Sequence, residues 1–443
     1  MQEWSKTMKD HYFLSRRKFL ALLGGAAASL AAGCTFSGKA AEPIRKAARV
    51  LTGDTSLDAR FLRQIVTADS HASRTIMWQS DAAQEAAEVV WRVADGEKEK
   101  DAELFSAPAK SEHYTDDGQD VYLHGARLEN LSPGASYEYR VICGDEGTDW
   151  TPLRTDDGGA FKALIFPDSQ SSDYTDWKQL AQDAFRRNPD AAFFTNLGDL
   201  VDNGEEHSQW DAWFDAVEGM AERIPFAPVM GNHETYDKKW EVRLPLAYLA
   251  EFQPPENGSR DFARYYYSFD FGDVHFIVLN TQWDETEEFR PGLLEEQFTW
   301  LPKDAAASNK KWNVVMQHKD VLQYRIGKRP ERKEGFSKFG EAFMPLFDEL
   351  GIDVVLTAHL HTYRNRGHIK KFRRDASGPL YILTGVAGNV RYPGLWIDHA
   401  LDEKIAPQPE TDNYLTLEAS QDALRFRCFL PDGTEIDDVT IRK

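Results

Sequence analysis

A chain of 443 residues with 42% apolar composition can bury a large core, and its length corresponds to roughly two to three domains. Its 52 Lys and Arg against 72 Asp and Glu leave a formal charge of −20, which argues against nucleic acids or anionic membranes as partners held by bulk electrostatics. Three cysteines, Cys34, Cys143 and Cys428, are too few and too scattered for a disulfide framework or a thiolate metal site.

The first segment reads as an address. Ser15-Arg16-Arg17-Lys18-Phe19-Leu20 precedes an Ala/Gly-rich apolar stretch, and Leu30-Ala31-Ala32-Gly33-Cys34 closes it. This resembles a bacterial twin-arginine signal ending in a lipobox, so residues 1–33 are expected to be removed. The only membrane attachment expected is a lipid at Cys34, on the periplasmic side or at the cell surface. Plain cleavage without lipid is the other reading, because Ala31 stands where lipoboxes usually carry leucine. Residues 34–57 are small, polar and basic, and read as a tether.

From residue 58 the pattern is β-rich. Ile76-Met77-Trp78, Val89 to Val93 and Val121 to His124 are short β-branched and aromatic runs between polar turns. After Pro133-Gly134, the residues Tyr137, Tyr139 and Val141 alternate onto one sheet face, with Tyr137 placed as a tyrosine corner. Residues 58–155 are therefore expected to form an all-β, fibronectin type III-like sandwich, with Asp156-Asp157-Gly158-Gly159 as linker. The period then changes. Ala163 to Phe166 reads as a strand, Trp177, Leu180, Ala181, Ala184 and Phe185 as a helix, and Ala191 to Phe194 as a second strand. Trp210, Trp213, Phe214 and Val217 repeat the helical spacing before the Phe226–Met230 strand. Tyr265–Asp270 and Val274–Asn280 read as a hairpin. Strands at Val314–Met316, Asp353–Leu356 and Leu380–Leu383 and helices around Leu293–Leu301 and Phe339–Leu350 follow, with edge strands from Tyr414 to Ile441.

Five strands of this second part end in a group of metal-ligand type: Asp168, Gly198-Asp199, Gly231-Asn232-His233-Glu234, His318, and His359-Leu360-His361. Singly, Asp199 reads as a turn acid and each histidine as structural. Jointly, five strand ends in an α/β protein share one sheet edge and bring the donors together. Oxygen and imidazole donors without thiolate suit Fe, Zn or Mn. Two such ions about 3.5 to 4 Å apart, sharing a carboxylate, form the usual clamp for displacement at phosphorus, and Asp199 is the candidate bridge.

The order D…GD…GNHE…H…H-x-H resembles that of the calcineurin-like metallophosphoesterases, and with a sandwich ahead of it the chain looks like a purple acid phosphatase over about residues 60 to 440. The resemblance implies a four-layer α/β/β/α domain over residues 160–443. It implies that Asp168, Asp199 and His361 bind one metal and Asp199, Asn232, His318 and His359 the other. It also implies a metal-bridging hydroxide as nucleophile, a small phosphorylated substrate, and His233 as stabiliser of the transition state or acid for the leaving oxygen. The chain departs from the pattern in three places. Asp202 stands where purple acid phosphatases carry the tyrosine that colours them, Gln170 stands where other metallophosphoesterases carry a histidine, and Ala358 replaces a glycine. Asp202, Gln170 or water is then the missing first-site ligand, and Asp202 reads equally as a solvated loop acid. Phosphomonoester hydrolysis is the leading expectation. A phosphodiesterase or nucleotidase on the same fold and a non-catalytic surface lipoprotein with a degraded metal site are the alternatives. Trp240, Trp283, Tyr324, Arg325 and Tyr363 are candidate pocket residues, with packing or plain exposure as the competing reading.

Overall fold

The computed structural model describes residues 56–94 and 103–443. The signal segment and Cys34 lie outside the described residues.

Three sheets carry the fold. In the first, the strands Phe161–Phe166, Ala191–Asn196 and Phe226–Pro228 run parallel, and the tail strands Tyr414–Ala419, Ala423–Phe429 and Glu435–Arg442 extend one edge antiparallel. The second is an eight-stranded sheet that includes the hairpin Tyr267–Phe271 and Val274–Val278, then Trp312–Met316, Val354–Thr357, Leu380–Gly385 and Thr362–Lys370. Strand alternation explains how they stack. Ala163 and Ile165 face inward with Phe193 and Ala227 against Phe269, Phe276, Val314 and Val354 of the second sheet. Leu164, Phe166 and Phe194 face outward under Trp177, Leu180 and Ala184 of the helix Thr175–Arg187 and Trp213 of the helix His207–Ala216. On the far side Ile277, Val315 and Val355 belong to the core that includes Leu293 and Leu301 of Leu293–Ala307 and Phe343 and Phe347 of Lys338–Leu350. Residues buried on both faces read as continuous apolar runs, and the product is the four-layer α/β/β/α arrangement. The stripes Trp177/Ala181/Ala184 and Trp210/Trp213/Phe214 are core, as their helical spacing predicts.

The N-terminal unit is also a sandwich. Ile76, Trp78, Ala126 and Leu128 pack against Val89, Trp91, Tyr137, Tyr139 and Val141 of a five-stranded sheet. The expected corner is present: the Ser132 N–H donates to Tyr137 Oη at 2.8 Å. One feature differs from a module joined only by a linker. The strand Arg60–Ile65 pairs in parallel with Phe226–Pro228, so four strands of the sandwich continue the first sheet of the α/β unit into a single ten-stranded sheet. Val66 N–H donates to Phe226 O at 3.0 Å, Gln64 N–H to Ala221 O at 2.8 Å, and Tyr139 Oη to Glu222 O at 2.8 Å. An unpaired edge strand is costly, and here each unit covers the other's edge.

Candidate metal centre

The parallel strands Phe161–Phe166 and Ala191–Asn196 deliver Asp168 and Asp199 just past their carboxyl ends, and Trp312–Met316 and Val354–Thr357 deliver His318 and His359 past theirs. The turns that follow are not relaxed ones. Asp199, His359 and His361 all have positive φ, at 50°, 78° and 51°. For residues with a Cβ this costs about 1–2 kcal/mol each, strain that is characteristic of functional sites. Two glycines make room for it. A Cβ on Gly231 would lie 2.1 Å from Asp199 N and 2.2 Å from its Oδ1, and one on Gly198, itself at φ 93°, would lie 2.6 Å from His318 Nδ1.

The structure brings the sequence-predicted donors together in two groups. Asp168, Asp199 and His361 place one donor atom each within 4.8 Å of one another, and so do Asp199, His318 and His359. Asp199 belongs to both. In the first group His361 Nε2 is 2.9 Å from Asp168 Oδ2. In the second, His318 Nε2 is 3.1 Å from Asp199 Oδ2, 3.1 Å from Asn232 Oδ1 and 3.2 Å from His359 Nδ1. His318 Nε2, His359 Nδ1, Asp199 Oδ2 and Asn232 Oδ1 thus crowd one point, and oxygen and imidazole atoms in that number are a donor set that a first-row cation takes.

The ring nitrogens facing away are committed. His318 Nδ1 bonds Leu197 O at 2.9 Å and His361 Nδ1 bonds Val390 O at 2.6 Å. Each backbone carbonyl accepts the Nδ1 proton and leaves Nε2 as the ligand atom, which is how second-shell contacts orient metal-binding histidines. Asp168 is held by the His359 N–H at 2.9 Å to both carboxylate oxygens.

The electrostatics favour positive charge beside the shared carboxylate. Burial opposes ionisation of Asp199, but His318 and His233 hold its carboxyl well below the usual range. Burial likewise disfavours the charged form of His318, yet Asp199 and Asp168 raise it to about 9. His359, buried beside His318, is pushed well below its ordinary value.

His233 stands at the edge of the centre. Its N–H donates to Asp199 Oδ1 at 2.8 Å, its Nδ1 bonds Asp202 O at 2.7 Å, and its Nε2 lies 3.9 Å from Asp199 Oδ2. Asp202 therefore meets His233 chiefly through its backbone, and its partly exposed carboxylate is in neither ligand group. Gln170 is buried beside the centre; its N–H donates to Asp199 O at 2.9 Å, and its side-chain Oε1 has no hydrogen-bond partner. Of the candidate pocket residues, Trp283, Tyr324 and Tyr363 are buried in packing or hydrogen bonding, Arg325 is exposed, and Trp240 stands over His233.

Sequence reasoning gave Glu234 no role beyond its place in the motif. Its carboxylate is buried and accepts from the N–H groups of Asp199 at 3.0 Å, Leu200 at 2.8 Å, Val201 at 3.4 Å and Gly231 at 2.6 Å. It ties the Asp199 turn to the Asn232 turn. Burial and the neighbouring Asp199 raise its carboxyl to about 7, against those backbone donors. Its adjacency to His233 in Gly231-Asn232-His233-Glu234 was the only available signal.

A cavity of about 630 Å³ lies at the other end of the first sheet, by the starts of Phe161–Phe166 and Ala191–Asn196, and none of these donors lines it. Donor chemistry, not volume, locates the site.

A two-sheet α/β sandwich with oxygen and imidazole donors converging past its strand ends, one carboxylate shared between two groups, has the donor set of a two-ion site. The chain belongs to the Calcineurin-like phosphoesterase family, which it matches over residues 141–363. Residues 62–155 match the Purple acid Phosphatase N-terminal domain. It is 27% identical over 271 residues to purple acid phosphatase 21 of Arabidopsis thaliana, covering 60% of this chain and 58% of that protein. To purple acid phosphatase 15 of the same plant it is 30% identical over 208 residues, 46% of this chain and 36% of that protein. With acid phosphatase type 7 of Mus musculus it shares 24% identity over 324 residues, 64% of this chain and 69% of that protein. The chain thus spans between about a third and three fifths of the length of the first relatives it matches. In fold it is similar to a purple acid phosphatase from yellow lupin seeds, with a TM-score of 0.70 at 17% identity over 87% of this chain and 74% of that one. The corresponding values for PhoD are 0.61 at 14% identity over 88% and 92%.

Proposed function

We propose that the protein is a metal-dependent phosphoric ester hydrolase acting on small phosphomonoesters. The observation that carries this is the convergence of Asp168, His361, His318, His359 and Asn232 on the shared carboxylate of Asp199, with His233 beside it. Asp168, Asp199 and His361 would hold one ion, and Asp199, Asn232, His318 and His359 the other. Two ions there would supply Lewis acidity for the phosphoryl oxygens and acidify water for attack. The residues themselves orient and exclude. Leu197 O and Val390 O fix the ring orientations, Asn232 offers its amide to a phosphoryl oxygen, and His233, with Nδ1 bonded to Asp202 O, presents Nε2 to the leaving oxygen as the proton donor. The acidic surface is no obstacle, since bound cations set the local field.

Metal analysis beside chromogenic monoester and diester assays tests this reading. Fe, Zn or Mn at about two ions per chain, with chelation abolishing monoester hydrolysis, is the expected result; full activity without metal sinks it. Replacement of His233 by Ala should lower turnover most for esters with poor leaving groups, by about 10²-fold or more. The loaded protein should be colourless, because position 202 offers no phenolate; an intense visible band removed by reduction would contradict this.

We further propose export through the twin-arginine-type segment and anchoring at Cys34, which rest on the sequence of residues 15–34. A Cys34→Ser variant should leave the membrane fraction, and its retention there would refute the anchor.

A further inference from the structure

Two large rings beside the centre are left exposed, at a cost in apolar surface that packing does not explain. Trp240 is 55% exposed, and its ring stands edge-on to His233 with centroids 5.7 Å apart. Tyr392 is 41% exposed, and its ring lies against His361 at 4.9 Å and 38°. Both are set in place by the backbone. Trp240 has φ 66°, a left-handed conformation rarely adopted by a bulky side chain, and its turn is fixed by Trp240 N–H to Asp237 O at 2.9 Å and by Asp237 Oδ1 accepting from Lys239 N and Glu241 N at 2.8 Å. Tyr392 follows Val390, whose carbonyl holds His361, and Arg391, which pairs with Asp412 at 2.7 Å. A third ring, Tyr236, packs against both His233 and Trp240 at 5.6 and 6.0 Å.

Resting on the phosphoesterase reading, we infer that Trp240 and Tyr392 form a stacking rim that selects phosphomonoesters whose leaving group carries a planar aromatic ring within one or two bonds of the ester oxygen. With phosphorus between the ligand groups and the leaving oxygen at His233, the atoms next to that oxygen pass along these rings. A planar π-system gains stacking there that an aliphatic group of equal bulk does not. The short reach from ring to imidazole favours an aryl or benzyl group over a base set back by a sugar.

Calorimetric binding to the metal-loaded protein tests the rim apart from turnover, using benzylphosphonate and cyclohexylmethylphosphonate, which match in charge and bulk but not in planarity. The benzyl compound should bind about tenfold more tightly. Trp240→Gly, which suits the left-handed backbone, combined with Tyr392→Leu should bring the ratio to about one, while Trp240→Phe and Tyr392→Phe retain most of it. Equal affinities in the unaltered protein, a ratio untouched by the Gly/Leu pair, or tighter binding of adenosine monophosphate than of benzylphosphonate overturns the inference. Failure to hydrolyse any phosphate ester would instead refute the phosphoesterase reading.

Discussion

Asp199→Asn should lose bound metal and hydrolytic activity together, with kcat/KM down by about 10³-fold or more, equivalent to about 4 kcal/mol of transition-state stabilisation. Asp199 is the one residue common to both donor groups, it is 1% exposed, and His318 and His233 hold it ionised. An amide keeps the shape but removes the charge that both groups share, and one amide oxygen is a poor bridge between two cations. Elemental analysis and monoester kinetics on the same preparation decide the matter. Circular dichroism should be unchanged, because the Ser169 and Gln170 N–H groups bond the backbone Asp199 O and an amide oxygen can still accept from His233 N–H. A variant retaining two ions and full rate would remove Asp199 from the centre.

Glu234→Leu should damage the fold first and the centre as a consequence. The substitution is close in volume, yet it leaves the buried N–H groups of Asp199, Leu200 and Gly231 without their acceptor. At about 1–3 kcal/mol for each unpaired buried donor, the loss is on the order of 4 kcal/mol after relaxation. Thermal unfolding of the metal-free protein should fall by about 5 °C. Glu234→Gln keeps an acceptor oxygen and should fall by less than half as much. Metal affinity should weaken in both, in the same order, because the carboxylate is what ties the Asp199 and Asn232 turns. Equal midpoints for Glu, Gln and Leu would show that the four contacts are not holding the turns.

Much of the site is legible because its donors follow strands. A buried parallel strand is a run such as Ala191-Ala192-Phe193-Phe194, its end is a break in that run, and a ligand-type residue after each break gives an ordered series. Asp168, Asp199, Asn232, His318, His359 and His361 each follow such a break, and the structure sets them near one another. The tyrosine corner at Tyr137 was readable for a similar reason, since a turn and an alternation are both local. Glu234 was not readable as a support, because bonds to backbone N–H groups 33 to 35 residues away leave no trace in side-chain pattern.

Residue types and their periodicity thus determined the two layers of strands, the helices that cover them, and the list of donors, since apolar alternation and strand breaks are properties of neighbours in sequence. Tertiary structure alone decided which donors share Asp199, which ring nitrogen each histidine presents, that the sandwich and the α/β unit are built on a single ten-stranded sheet, and that Trp240 and Tyr392 stand beside His233 and His361. Those depend on turns held at positive φ and on contacts between segments far apart in the chain, whose energies are set by three-dimensional proximity.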